Sequence, residues 1–533
     1  MKPDSTPLLI PPFTDTYNTP IPELWLSALL KLSVLDDAQL YSGIPLVYEK
    51  IDPMVADVKI GGRKVSTQQS RSRESDSRDK WQNALNSTMT SAGINITDLA
   101  ATADAIEDEL WTRTEPKMRR RVRAAVPLSP IAGLMQNQPG VLGTNQQNDY
   151  GQSIEKLYEV GRILCGDEPN RASERLLTAM VRRRGRDKRV AAVDDALLSS
   201  LCHALVIDPT AVSYSVADGR LSLDGKRKAA LNELLAKTEY EILSQLTGLG
   251  GKNCFTWFYQ SWNKLTSDEW SDRLPHRRWV DWLVTTIRLG VGTAYIFRSH
   301  WTVEATRLAL DETLSEGGVR VQIFSACLNQ PIIAWQDRSQ DVFGQRNVHP
   351  QLRKLVRTAK SIEKLLKEDF DITHGADNSI EGLKSIVRAD KSLNAKLHKA
   401  LYSPELNLTH KAVQPVYNTI RDALVDRTSI DDGNPGDTAD YYALMRSDTR
   451  GSKSSTYFDP SSEVVALLAS LACDAPDGST TLGDVKQEFQ KLGFRPSQNE
   501  LRYLLEQAGL CRAEADASLQ VSVTSALKLD QLL

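Results

Sequence analysis

The chain has 533 residues, of which 41% are hydrophobic and 25% charged. That is apolar enough to fold and too long for one core, since single cores stop growing near about 250–300 residues. A formal charge of −3 and an isoelectric point near 6.2 exclude a uniformly basic polyanion binder, so any nucleic-acid interface has to be a local patch. No run approaches the ~20 apolar residues of a membrane span, and the proline-rich start MKPDSTPLLIPPFTDTYNTP lacks the pattern of a secretory signal. The six cysteines stand far apart without a CxxC pair, so a cytoplasmic setting without a membrane partner is expected.

Residues 1–125 read as an N-terminal helical region with a mobile basic loop. IPELWLSALLKLS (21–33) places Leu26, Leu29 and Leu30 at helical spacing, with Pro22 suited to a first turn. The loop follows at 61–80, where apolar residues are few. A helix from about 97 presents Leu99, Ala103, Ile106 and Leu110 on one side. Beyond Pro116 comes the basic cluster Arg119, Arg120, Arg121 and Arg123. Residues 126–150 are rich in Pro, Gly, Asn and Gln, and read as a long surface loop.

A helical body is expected over 151–427. Ile154, Leu157, Val160 and Leu164 recur every three or four residues, and Asn170 precedes a helix carrying Leu176, Leu177, Met180 and Val181. Its apolar stripe gives way to RRRGRDKR, in which Arg182, Arg183, Arg184, Arg186, Lys188 and Arg189 crowd into eight positions. Six of the ten tryptophans fall in 254–301, and the stripe Trp279, Leu283, Ile287 predicts a largely buried helix. GGVRVQIFSAC (317–327) alternates as a strand does. Two further amphipathic helical stretches, 349–372 and 379–403, follow, the first with bases from Arg353 to Lys367. A linker rich in Gly, Ser, Asp and Thr is expected at about 428–460.

Residues 461–533 read as three short helices and a strand. Ser497 and Glu500 form a capping box ahead of Leu501, Leu504 and Leu505. This pattern resembles a winged-helix module, with LGFRPSQNELRYLLEQAGL similar to the turn and second helix of a helix-turn-helix. The resemblance implies that Gln498, Asn499 and Arg502 face base edges. Ten acids against six bases in 462–533 deprive the module of a positive field, and such tri-helical modules also bind proteins. The fold class expected is therefore mainly α, a multidomain helical body with a small C-terminal winged-helix-like domain.

No phosphate-binding loop, dinucleotide fingerprint, HExxH or GxSxG motif is present, so no cofactor, metal or catalytic residue is assigned. His276 with Arg277 and Arg278 forms a trio suited to phosphate; its alternative is a helix entry after Pro275 with ion pairs to Asp272 and Asp281. Asp369, Asp371 and His374 are the candidates should the chain be a nuclease of unfamiliar motif. Separated basic patches in an acidic chain point to phosphate-backbone contact, with an acidic protein surface as the competing partner. The expectation is a non-catalytic scaffold or adaptor subunit of a multiprotein prokaryotic assembly. It would associate with nucleic acid, double-stranded DNA first, and with other protein subunits; the alternative is a protein-only scaffold or regulator. In general character the chain resembles accessory subunits of bacterial anti-phage defence systems.

Overall fold

The structure, a computed structural model, describes residues 95–101, 144–186, 212–214, 221–223, 252–314, 346–370, 380–402, 410–425, 442–450, 453–511 and 521–530, with isolated positions elsewhere. Helix α1 spans Thr144–Cys165 and α2 Ala172–Arg186. After a small hairpin of β1 (Val212–Tyr214) and β2 (Leu221–Leu223) come α3 (Cys254–Thr266), α4 (Asp268–Arg273) and the 35-residue α5 (His276–Leu310). Helices α6 (His349–Phe370), α7 (Ile380–Ala389), α8 (Lys391–Tyr402) and α9 (His410–Leu424) follow among the described residues of the body.

Helix α5 is the centre because it is apolar on every side: Trp279, Trp282, Leu283, Ile287 and Trp301 are all buried, as the tryptophan stripe predicts. Its buried hydroxyls bond to their own helix. Thr286 donates to the Trp282 carbonyl at 2.8 Å and Thr306 to that of Thr302 at 2.8 Å, which leaves no orphan donor. Arg288, also buried, reaches across to the Ala423 carbonyl in the last turn of α9 at 3.0 Å. A Cβ at Gly292 would lie 2.6 Å from Leu424 Cδ2, so only glycine lets α9 approach this closely.

Helices α1 and α3 pack together on α5. The α3 N-terminus is closed by a capping box between Asn253 and Thr256. The indole of Trp262 donates to the Ala172 carbonyl at 3.1 Å, and buried Glu155 accepts from the amides of Ala172 and Ser173, so α2 starts on side chains of α1 and α3. Gly161 sits where a Cβ would overlap the Phe255 carbonyl and lie 2.7 Å from Tyr259 Cβ. Gly161→Ala is therefore expected to lower stability by about 1–3 kcal/mol despite alanine's better helix propensity, read as a fall in the urea midpoint.

Two antiparallel strand pairs lie toward the C-terminus. Strand β3 (Met445–Arg450) pairs with β4 (Lys453–Phe458), and β5 (Ser479–Thr481) pairs with β6 (Ser522–Thr524). The second belongs to a small mixed module with α10 (Ser462–Ala472), α11 (Leu482–Lys491), α12 (Gln498–Gln507) and α13 (Ala526–Asp530). A mainly helical body with a small mixed module is thus the observed architecture.

Several expectations change. The loop expected over 126–150 ends early, because α1 already begins at Thr144. The linker expected at 428–460 contains β3 and β4, and Val348 donates to the Thr456 carbonyl at 2.7 Å while Leu444 donates to that of Leu424 at 3.0 Å. The polar composition of MRSDTR and KSSTYF concealed this hairpin, whose Ser447 and Thr456 hydroxyls bond across the ladder at 2.7 Å. The strand expected at 317–327 and most of residues 1–125 lie outside the described residues. Trp25, Leu26 and Leu29 are buried in helical conformation, as the spacing of 21–33 predicts.

The C-terminal module is docked on the body. Lys264 of α3 donates to the carbonyls of Leu471 and Cys473 at 2.8 and 2.6 Å, meeting the unpaired acceptors at the end of α10. Glu463 accepts from the Trp282 indole at 3.3 Å, and Arg273 pairs with Asp477. Trp335 stacks on Phe458 at 4.6 Å and meets Phe489 edge-on at 5.8 Å, joining hairpin and module through aromatic contact.

Candidate nucleic-acid interface

The run that opens with Arg182 begins inside α2, which continues through Gly185 to Arg186. Its first two guanidinium groups face α4 and the start of α5. Arg182 pairs with Asp268, lies 3.4 Å from Asp272 and donates to the Ser271 hydroxyl. Arg183 donates from Nε to His276 Nδ1 at 3.0 Å and from Nη2 to the Leu274 carbonyl at 2.9 Å, over the Trp279 ring at 5.2 Å. The sequence DEWSDR of α4 supplies the acids that meet Arg182. Arg184 and Arg186 occupy the last helical turn, but their side chains, together with Lys188, Arg189 and Arg119, Arg120, Arg121 and Arg123, lie outside the described residues.

His276, Arg277 and Arg278 do not converge as one phosphate grip. His276 accepts from Arg183, Arg277 pairs with Asp281 at 3.2 Å, and Arg278 meets Glu463 at 3.6 Å over the Trp282 ring. The helix-entry alternative holds for Asp281, whereas Asp272 serves Arg182. In the C-terminal module, Gln498 and Asn499 stand in the first turn of α12, with Asn499 exposed, and Arg502 pairs with Glu506 at 2.8 Å. Of the described cations assigned to nucleic acid, Arg182, Arg183, Arg277, Arg278 and Arg502 thus all have intramolecular acceptors. Arg183→Ala is expected to cost about 2 kcal/mol, from the lost charged hydrogen bonds and ring contact, while leaving DNA affinity within twofold; urea unfolding and a DNA titration check the two halves.

A different set of cations is exposed. Helix α6 buries Leu352, Val356, Ala359, Ile362 and Leu366, which turns Lys354, Arg357, Lys364 and Lys367 outward. Its orientation is pinned by buried Glu363, which meets Arg298 of α5 at 3.3 Å and Lys360 at 2.9 Å. Helix α8, packed against α6 and α7, buries Leu393, Leu397 and Ala400 and exposes Lys391, Lys396 and Lys399. Arg388 at the end of α7 is also exposed. Between α7 and α8 the exposed Asp390 caps α8 by accepting from the amides of Ser392 and Leu393 at 2.8 and 3.1 Å. Glu368 and Asp369 follow in the last turn of α6, their side chains outside the described set.

His349 at the start of α6 packs against Tyr417 with tilted rings whose centroids are 4.9 Å apart. Burial, with Arg353 and Arg421 nearby, holds its imidazole below the usual histidine range. The folded chain therefore favours neutral His349, and stability is lost as pH falls below about 6.5, where the unfolded chain takes up the proton. Urea midpoints at neutral and mildly acidic pH are expected to fall further for the wild type than for His349→Gln.

No protein-family model, curated protein or solved structure matches this chain. Among the described residues no cluster of His, Cys, Asp or Glu is arranged to hold a metal ion, and no helix is long and apolar enough to cross a membrane. His374 and Asp371 lie outside the described residues, as does the side chain of Asp369. Lys391, Lys396, Lys399 and Arg388 were missed as candidates because they are scattered singly among apolar residues; tracing the solvent side of α8 at helical spacing would have found them.

Proposed function

We propose that this chain is a non-catalytic, DNA-associated scaffold or adaptor in which the outer side of α6, α7 and α8 meets the phosphate backbone. The observation that carries this reading is the set of exposed cations on helices whose apolar sides are anchored in the core. Phosphate contact of this kind requires neither base-edge geometry nor a positive net charge over the whole chain.

The C-terminal module is read as winged-helix-like. Helix α10, strand β5, helices α11 and α12 and strand β6 follow one another in the order of that fold, with β5 antiparallel to β6. With Arg502 held by Glu506 and acids in excess, its role is contact with other protein subunits, and its anchorage to α3 and α5 makes it a fixed platform.

Titrating the full chain with a fluorescent DNA over a salt series tests the reading. The affinity is expected to fall linearly on logarithmic axes with increasing salt. Absence of binding at low salt would overturn it, and a stable complex with an acidic protein under those conditions would establish the protein-only scaffold instead. The engagement of Arg182, Arg183 and Arg278 inside the molecule is what favours that second reading.

A further inference from the structure

We propose that the face formed by α6, α7 and α8 takes unpaired nucleic acid in preference to duplex, with Tyr402 serving as a stacking platform for a base. The inference rests on the reading of that face as a nucleic-acid surface and refines it, since duplex was the partner expected from charge alone.

Tyr402 and Tyr503 are the two exposed large apolar side chains among the described residues, at 69% and 41% of their full area. The two sites differ in surroundings. Tyr503 stands next to the Arg502–Glu506 pair, in a module with more acids than bases. Tyr402 ends α8, one turn after His398, and the two rings are nearly parallel with centroids 6.0 Å apart. Lys399 precedes it on the exposed side, and Arg307 of α5, half-exposed and paired with Glu304 at 2.7 Å, lies within electrostatic reach of the phenol. An open aromatic face amid cations is what a single strand requires: phosphates are met by the charges, and each base offers a flat surface to the ring. A duplex keeps its bases stacked inside and has no ring to offer, so it draws on the charges alone.

The test uses the full-length chain, an unpaired oligonucleotide of about 20 mixed bases and a duplex of the same sequence, followed by anisotropy. Because Tyr402 is 69% exposed, Tyr402→Ala is compatible with folding, to be verified by an unchanged urea midpoint. It is expected to lose about tenfold in affinity for the single strand, with duplex binding unchanged and Tyr402→Trp restoring the single-strand affinity. An abasic strand of equal length is expected to bind wild type as weakly as the intact strand binds Tyr402→Ala. Equal affinity of wild type and Tyr402→Ala for the single strand would overturn the stacking role while leaving the phosphate-binding reading intact. Failure of wild type to bind either nucleic acid would overturn both.

Discussion

Exchanging Lys354, Arg357, Lys364 and Lys367 for glutamine is expected to weaken DNA binding by at least tenfold near physiological salt, and to flatten its salt dependence. Each phosphate contact contributes about 0.9 to the logarithmic slope on duplex and about 0.7 on a single strand, so loss of four contacts lowers the slope by roughly three. The four side chains project from a helix whose packing seam is Leu352, Val356, Ala359, Ile362 and Leu366, none of which the exchange touches. The folded state should therefore persist, and thermal unfolding of the variant is the control. A variant that unfolds at the wild-type temperature and binds with wild-type slope would remove this surface from consideration. The same exchange made at Arg182 and Arg183 is predicted to act in the opposite way, lowering stability with little change in slope.

The largest effect on stability is expected from Arg298→Met. Arg298 and Glu363 are both mostly buried, and the charge of Glu363 is balanced by Arg298 at 3.3 Å and Lys360 at 2.9 Å. Removing the arginine leaves a desolvated carboxylate with one partner, which costs about 3–5 kcal/mol. Adding Glu363→Gln to Arg298→Met should recover part of that loss, because a neutral amide is far less costly to bury than an unbalanced carboxylate. If the double variant were as unstable as Arg298→Met alone, packing rather than charge would hold α6 on α5. Under the proposed reading the pair bears on function as well, since it ties α6 to α5 and leaves Lys354 and Arg357 exposed.

Much of the helical body was legible because its signals are long and redundant. The tryptophan stripe of α5 and the apolar spacing from Ile154 to Leu164 each state one helix more than once. The β3–β4 hairpin was hidden for the opposite reason. Its strands are six residues each, polar and threaded with serine, and they are stabilised by the ladder and by Asn347 and Arg346 from far away in the chain. A local pattern carries no trace of such long-range partners.

The site was less legible than the fold, for a related reason. Density of charge along the chain does not reveal which charges are already answered. The run at Arg182 is the most basic stretch in the sequence, yet its first two members meet Asp268, Asp272 and the Leu274 carbonyl, contributed by residues some ninety positions later. The lysines of α8 form no run, but the turn of the helix collects them on one side and leaves them there. Burial of the opposite side by Leu393, Leu397 and Ala400 decides their exposure, and that depends on α6 and α7 being in place.

Ultraviolet cross-linking of a bound oligonucleotide to the full-length chain, followed by peptide mapping, locates the interface without any substitution. Adducts are predicted in peptides covering 351–367 and 388–402. Adducts confined to 119–123, 182–189 or 495–511, with none on α6 or α8, would contradict the assignment of nucleic-acid binding to that cationic surface.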